Sequence, residues 1–214
     1  IHAIQAHNKN KPTDLLELTI FIGKHIDASK KTLLEAKLNG DALVHLEQVE
    51  SPKQTAIIFE KQTGAAFLRQ SVDDVALIGY AELAKELAKI EGLAAVFIPT
   101  SSGATAQGLS LGFSQLGISP QIHIVQTIAC HPIVDALKPE TKSIQAENSL
   151  AGAIVDKIAH RKVAVIEAIT KSNGSGWIAN DDEITRAIAL IKETADLIIS
   201  PNSALSIVGL EQAH

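Results

Sequence analysis

Short apolar runs rich in β-branched residues alternate along this chain with amphipathic segments that end in caps and glycines, a pattern that points to an α/β architecture. Leu18–Gly23, Ala42–Glu47, Ala65–Leu68, Ala94–Thr100, Gln121–Thr127, Gly176–Ala179 and Leu197–Pro201 read as strands. Several are apolar throughout, as strands covered on both faces are.

Helix signals fall between them. Ser51-Pro52 reads as a cap and first helical residue, with Gly64 as the left-handed stop. Asp181-Asp182-Glu183 places carboxylates where a helix dipole is positive, ahead of apolar residues spaced by three and four. Further helices are expected over Ser29–Leu38, Asp74–Ile90, Gly103–Leu116, Ser149–Thr170 and Ser203–Gln212. The stretches 117–120 and Lys138–Asn148 read as breaks. A seam near Ser71 divides a small α/β lobe, 1–70, from a larger one, 71–214.

The 214 residues are 46% hydrophobic and 20% charged, which suits a buried core, and the formal net charge of -5 lacks the basic footprint of nucleic-acid binding. Aromatics at 3% are too few for base-stacking platforms. The apolar runs fall well short of the ~20 residues that cross a bilayer. A lone Cys130 excludes an intramolecular disulfide, and with no signal-like start the expected compartment is a reducing cytoplasm. The chain opens at Ile1 in a helical-looking stretch and contains no methionine, so a fragment lacking an N-terminal piece is expected.

One segment stands apart. In Ala94–Gly108 an apolar strand runs into Pro99-Thr100, then Ser101-Ser102-Gly103-Ala104-Thr105, then a small-residue helix. A strand that turns directly into a helix leaves several N–H groups aimed at one spot with the positive helix end behind them, which suits a phosphate. Ser101, Ser102 and Thr105 add hydroxyls, while Gly103 and Ala104 permit close approach. The segment is neither a Gly-Lys-Ser/Thr P-loop nor a G-x-G-x-x-G turn. The same small residues also allow plain strand–helix packing, with Ser and Thr as caps.

The order GYAELAKEL (79–87), VFIPTSSGATAQGLSLGFSQLG (96–117), PQIHIVQTIACHPIVDAL (120–137), SGWIANDDEI (175–184) and LIISPNSALSIVGL (197–210) resembles the fold type II pyridoxal-phosphate enzymes, particularly the threonine synthase and threonine dehydratase groups. The resemblance implies a three-layer α/β/α fold with a mostly parallel sheet and two lobes, the small lobe incomplete. It implies that Ser101, Ser102, Gly103, Ala104 and Thr105 hold the phosphate of pyridoxal 5'-phosphate. Asn202 lies where the family has a serine or threonine against the pyridine nitrogen. Residues 1–70 resemble, more loosely, the small domain that closes over an amino-acid substrate. The family's substrate loop and lysine motif fall before Ile1, and none of Lys24, Lys30, Lys31, Lys53 or Lys61 sits in such a context, so the catalytic lysine is unassigned.

The implied reaction is elimination or replacement at the β or γ carbon: first a threonine synthase-like conversion of O-phosphohomoserine to threonine, then a threonine/serine dehydratase-like lyase. A non-catalytic binding relative that keeps only the phosphate loop is the rival. The family is commonly dimeric, so a homodimer is a further expectation. Elsewhere the residues read as structural. Cys130-His131 is expected as a buried pair and not a metal site, since adjacent residues rarely face one ion. Asp73-Asp74 reads as a helix start, Trp177 as core, and His160-Arg161-Lys162 as a solvated helix face. Tyr80 divides evenly between a cofactor contact and packing.

Overall fold

The computed structural model describes residues 1–24, 26–139 and 146–214, which fall into two compact units, Ile1–Leu68 and Arg69–His214. In the first, α1 (His2–Asn10) precedes β1 (Leu18–Gly23), α2 (Ala28–Leu38), β2 (Val44–Val49) and α3 (Pro52–Thr63). The strands are parallel, with Leu18 opposite Val44 and Gly23 opposite Val49. The side chain of Asp27 caps α2 by accepting from the Lys30 amide at 3.2 Å. Gly64 ends α3 at φ 72°, its amide returning to the Glu60 carbonyl. The apolar core here is thin: Ile22 and Val44 are buried, and Phe21 meets Phe59 edge-on at 5.5 Å.

The second unit holds α4 (Val75–Leu87), β3 (Ala95–Pro99), α5 (Ala104–Gln115), β4 (Gln121–Thr127), α6 (Pro132–Leu137), α7 (Lys162–Lys171), β5 (Gly176–Ala179), α8 (Asp181–Ala195) and α9 (Pro201–Ala213). Its three strands pair in the order β3-β4-β5, all parallel. Because side chains alternate across a strand, Ile98, Ile122 and Ile124 join the core with Leu109 and Phe113 of α5 and Val165 and Ile169 of α7. Val125 and Ala179 turn the other way, onto Ile184 of α8 and Leu205 and Val208 of α9. Both sheet faces are thus covered, which is why β4 is buried from Ile122 to Thr127 although only Ile122, Ile124 and Val125 in it are apolar.

Two close contacts shape this unit. Helices α4 and α5 touch through Gly108 and Gly112, where an added Cβ would stand 2.4 Å from Tyr80 Cβ and 2.5 Å from Ala84 Cβ. The small residues after the loop are therefore also packing residues. At the end of β4, the fully buried Gln126 donates to the Thr100 carbonyl (3.1 Å) and accepts from the Ile133 and Val134 amides (2.9 and 3.1 Å). One strand side chain thereby satisfies two orphan donors of α6.

Several expected elements differ. Ala65–Leu68 forms no strand, and Leu197–Pro201 is not one either: α9 starts at Pro201, and Ile198 just before it is 88% exposed. An apolar run needs a neighbouring strand, and among the described residues these two have none. The long helix expected over Ser149–Thr170 exists only as α7. Its first half is irregular because side chains capture its amides: Leu150 by Asp181, Ala151 by Ser149, Ala153 by Asn202, Val155 and Asp156 by Ser101. The break at Lys138–Asn148 lies partly outside the described residues.

Candidate functional site

Parallel sheets bind ligands at the carboxyl ends of their strands, and there β3 passes through Thr100 into the turn that starts α5. Gly103 caps that helix at φ 94°, a left-handed value that glycine adopts without strain. Gln107 is the first α5 amide to find an internal acceptor, the Gly103 carbonyl at 3.0 Å. Among the described residues no acceptor faces the amides of Ser102, Gly103, Ala104, Thr105 and Ala106. Successive open amides at a helix N-terminus can hold a dianion.

The side chains divide the work. Ser101 Oγ accepts from the Val155 and Asp156 amides, both at 3.1 Å, and keeps its hydroxyl hydrogen as a donor. Ser102 and Thr105 are half-buried, with no partner for either hydroxyl among the described residues. Gly103 and Ala104 are buried, so they offer backbone alone. Thr127, at the adjoining end of β4, buries an Oγ1 that has no hydrogen-bond partner among the described residues.

Asn202 sits in the first turn of α9, after the Ser200 cap and Pro201. Its Oδ1 accepts from the Ala153 amide at 3.1 Å, which fixes the orientation of the side-chain amide. Nδ2 has no acceptor among the described residues. Ser101 and Asn202 thus hold the same strap, residues 153–156, from the ends of two different elements. These polar groups suit a ligand with a phosphate at one end and a hydrogen-bond acceptor at the other.

Arg161 departs from expectation. The solvated basic face predicted for 160–162 is broken by this side chain, which is 7% exposed and hydrogen-bonded to Gln70, Asp73, Asp74 and Gln107. Nothing in His160-Arg161-Lys162 separates the middle residue from its neighbours, and its partners lie 54 to 91 positions away. Its partner Asp74 takes no part in a side-chain cap; Asp73 does, accepting from the Val75 amide at 2.9 Å. Tyr80 is a packing residue against Gly108, and its hydroxyl donates to Gln70 Oε1 at 2.9 Å.

Cys130 and His131 are both buried, and His131 Nδ1 lies 2.8 Å from Asp135 Oδ1. Burial, aided by the Asp156 charge, pushes the Cys130 thiol up, so it stays protonated at neutral pH. Among the described residues no group of three or more His, Cys, Asp or Glu side chains is placed to hold a metal. Nor is any described helix long and apolar enough to cross a membrane. Trp177 is partly buried, stacking near His123 and lying under Lys138 Nζ at 4.7 Å from the ring centre.

Comparison with known proteins places the fold. Solved structures with the same fold include serine racemase from Dictyostelium discoideum (TM-score 0.72, 15% identity, covering 91% of this chain and 61% of that one). Processed threonine deaminase isoform 2 from Solanum lycopersicum aligns with TM-score 0.71 and 19% identity over 98% of this chain and 60% of that one. A fungal L-serine ammonia-lyase from Rhizomucor miehei gives 0.71 and 14% over 92% and 63%. The chain therefore spans less than two thirds of the length of these structures. No curated protein sequence matches it. Residues 15–214, which include the whole of the 101–105 turn and Asn202, match the family described as pyridoxal-phosphate dependent enzyme, and the chain belongs to that family.

Proposed function

We propose that the chain supplies the phosphate grip and the ring contact of an enzyme that eliminates or replaces a group at the β or γ carbon of a small amino acid. The observation that carries this reading is the run of open amides from Ser102 to Ala106 at the mouth of a parallel sheet. Bound pyridoxal phosphate supplies an electron sink for the substrate α-carbon. The amides of Ser102, Gly103, Ala104 and Thr105 hold its phosphate, with hydroxyl donors from Ser101, Ser102 and Thr105.

Asn202 meets the ring nitrogen. Its Oδ1 holds the Ala153 amide, which leaves Nδ2 free to donate, and an N–H donor favours an unprotonated nitrogen. A ring held that way is the weaker sink, which suits elimination and replacement. The lysine that bonds the cofactor is not assigned to any residue of this chain.

Within that class the first reading is a threonine synthase-like reaction, O-phosphohomoserine to threonine, although no residue of the quoted motifs is specific to that substrate. A threonine/serine dehydratase-like lyase is the second reading, favoured by the threonine deaminase and L-serine ammonia-lyase among the structures of like fold. A cytoplasmic homodimer completes the proposal.

The test uses full-length protein loaded with pyridoxal phosphate. An absorbance band near the visible edge, fixed by borohydride onto one lysine, supports an enzyme; no band overturns it. Release of phosphate with formation of threonine from O-phosphohomoserine supports the first reading. Formation of a 2-oxo acid and ammonia from threonine or serine supports the second, and a bound cofactor with no product from any of these supports a binding protein.

A further inference from the structure

Arg161 precedes α7, yet its guanidinium reaches across the second unit to the start of α4 and the first turn of α5. Nε and Nη2 donate to the Gln70 carbonyl (3.3 and 3.2 Å), Nη2 to the Asp73 carbonyl (2.8 Å), and Nη1 to Asp74 Oδ1 (2.8 Å) and Gln107 Oε1 (2.9 Å). A buried guanidinium requires such a full set of acceptors. The set joins three segments that are distant in sequence.

The Gln107 contact gives this node a bearing on the anion turn. Gln107 is where the open amides stop, since its own N–H is the first to be satisfied inside α5. On the other side Arg161 borders the turn: a Cβ at Gly103 would come into ordinary van der Waals contact, 3.5 Å, with Arg161 Cβ. The same residue thus lies beside the glycine of the turn and holds α5 one helical turn later, through Gln107.

The charge is placed to matter as well. The side chain of Asp74, its ion-pair partner, is 83% exposed, so water screens that carboxylate far more than it screens the guanidinium, which is 6% exposed. The nearby Asp156 carboxylate accepts from the Ile158 and Ala159 amides. Of the two charges in this pair, the less screened one, the guanidinium, stands beside the first turn of α5.

We propose that Arg161 is a positioning residue for the anion turn, locking the first turn of α5 against α4 and α7 and favouring a dianion on the open amides. The proposal rests on the reading of 102–106 as a phosphate cradle. Its test compares affinities of full-length protein for pyridoxal phosphate and for pyridoxal, which lacks the phosphate, with the 31P signal of the bound cofactor as a second readout. Arg161→Met is expected to weaken pyridoxal phosphate about tenfold or more, the equivalent of one charge-assisted hydrogen bond, while pyridoxal affinity stays unchanged and the 31P signal moves. Arg161→Lys recovers part of the loss.

Equal loss of both ligands, or loss of neither, overturns the proposal and leaves the cofactor assignment standing. Where Arg161→Met does not fold, Gln107→Ala decides: a loss confined to pyridoxal phosphate supports the role, and an equal or absent loss overturns it. Wild-type protein that prefers pyridoxal phosphate no more than pyridoxal removes the cradle and this proposal together.

Discussion

Gly103 and Val165 pack so closely that a Cβ on the glycine would stand 2.6 Å from Val165 Cγ2. Helix α7 is therefore moulded to a turn with no side chain at its apex. Gly103→Ala is expected to destabilise the protein by about 2 kcal/mol, through overpacking and a positive φ. The double variant with Val165→Ala recovers only the steric share. Chemical denaturation of the two variants checks this.

Ser101→Ala removes the acceptor for two amides of the strap at once. The expected loss is about 1 kcal/mol of stability, since water reaches part of this segment. Amide hydrogen exchange is the sharper measurement: Val155 and Asp156 exchange faster, while amides in the middle of β4 are unaffected.

Asn202→Asp keeps an oxygen for the Ala153 amide but replaces the Nδ2 donor with a charged acceptor. A carboxylate there stabilises a protonated ring nitrogen, so the bound cofactor's absorbance is expected to shift while the strap stays in place. Asn202→Ala loses both functions. Spectra of the loaded full-length variants, with exchange at Ala153 as the control, separate the two effects.

His123 stacks on Phe97 at 4.5 Å, and its Nδ1 accepts from the Ser175 amide (3.1 Å) and Trp177 Nε1 (3.2 Å). Both neighbours are donors, so the ring is neutral with its hydrogen on Nε2, facing Gln121 Oε1. Burial, with a smaller contribution from the Lys138 charge, lowers its pKa below the ordinary 6.5. A base depressed in the folded state contributes stability that is whole above its unfolded pKa and is lost as pH falls toward the folded value. Stability is therefore expected to drop on acidification below about pH 6.5, and less so in His123→Gln. Urea titrations across that range, wild type against variant, check the sign.

Asn180 forms a capping box at the head of α8: its side chain accepts from the Glu183 amide at 2.9 Å, and Glu183 Oε2 accepts from the Asn180 amide at 2.8 Å. Asn180→Ala is expected to lower stability by about 1 kcal/mol without altering cofactor binding. Thermal melting and a cofactor titration together test both halves.

The strands with partners were legible. Leu18–Gly23, Gln121–Thr127 and Gly176–Ala179 stand where their apolar patterns place them, because composition and burial agree there. Leu197–Pro201, expected as a strand, is apolar too but has no partner strand among the described residues, and strand formation is a property of pairs. The irregular stretch after Ser149 was hidden for another reason: its amides are taken by Ser101, Asp181 and Asn202, residues far off in sequence. The turn at 101–105 was readable from its small residues and hydroxyls. Arg161 was not, since a buried arginine differs from a solvated one only in what surrounds it.

Gln126 spends both ends of one amide group, its NH2 on the carbonyl just ahead of the serine turn and its oxygen on the opening of α6. The oxygen, holding two amides, has both of its lone pairs engaged. The head of α6 and the backbone that leads into the turn therefore hang on one buried side chain, a direct link between two segments that otherwise belong to different helices.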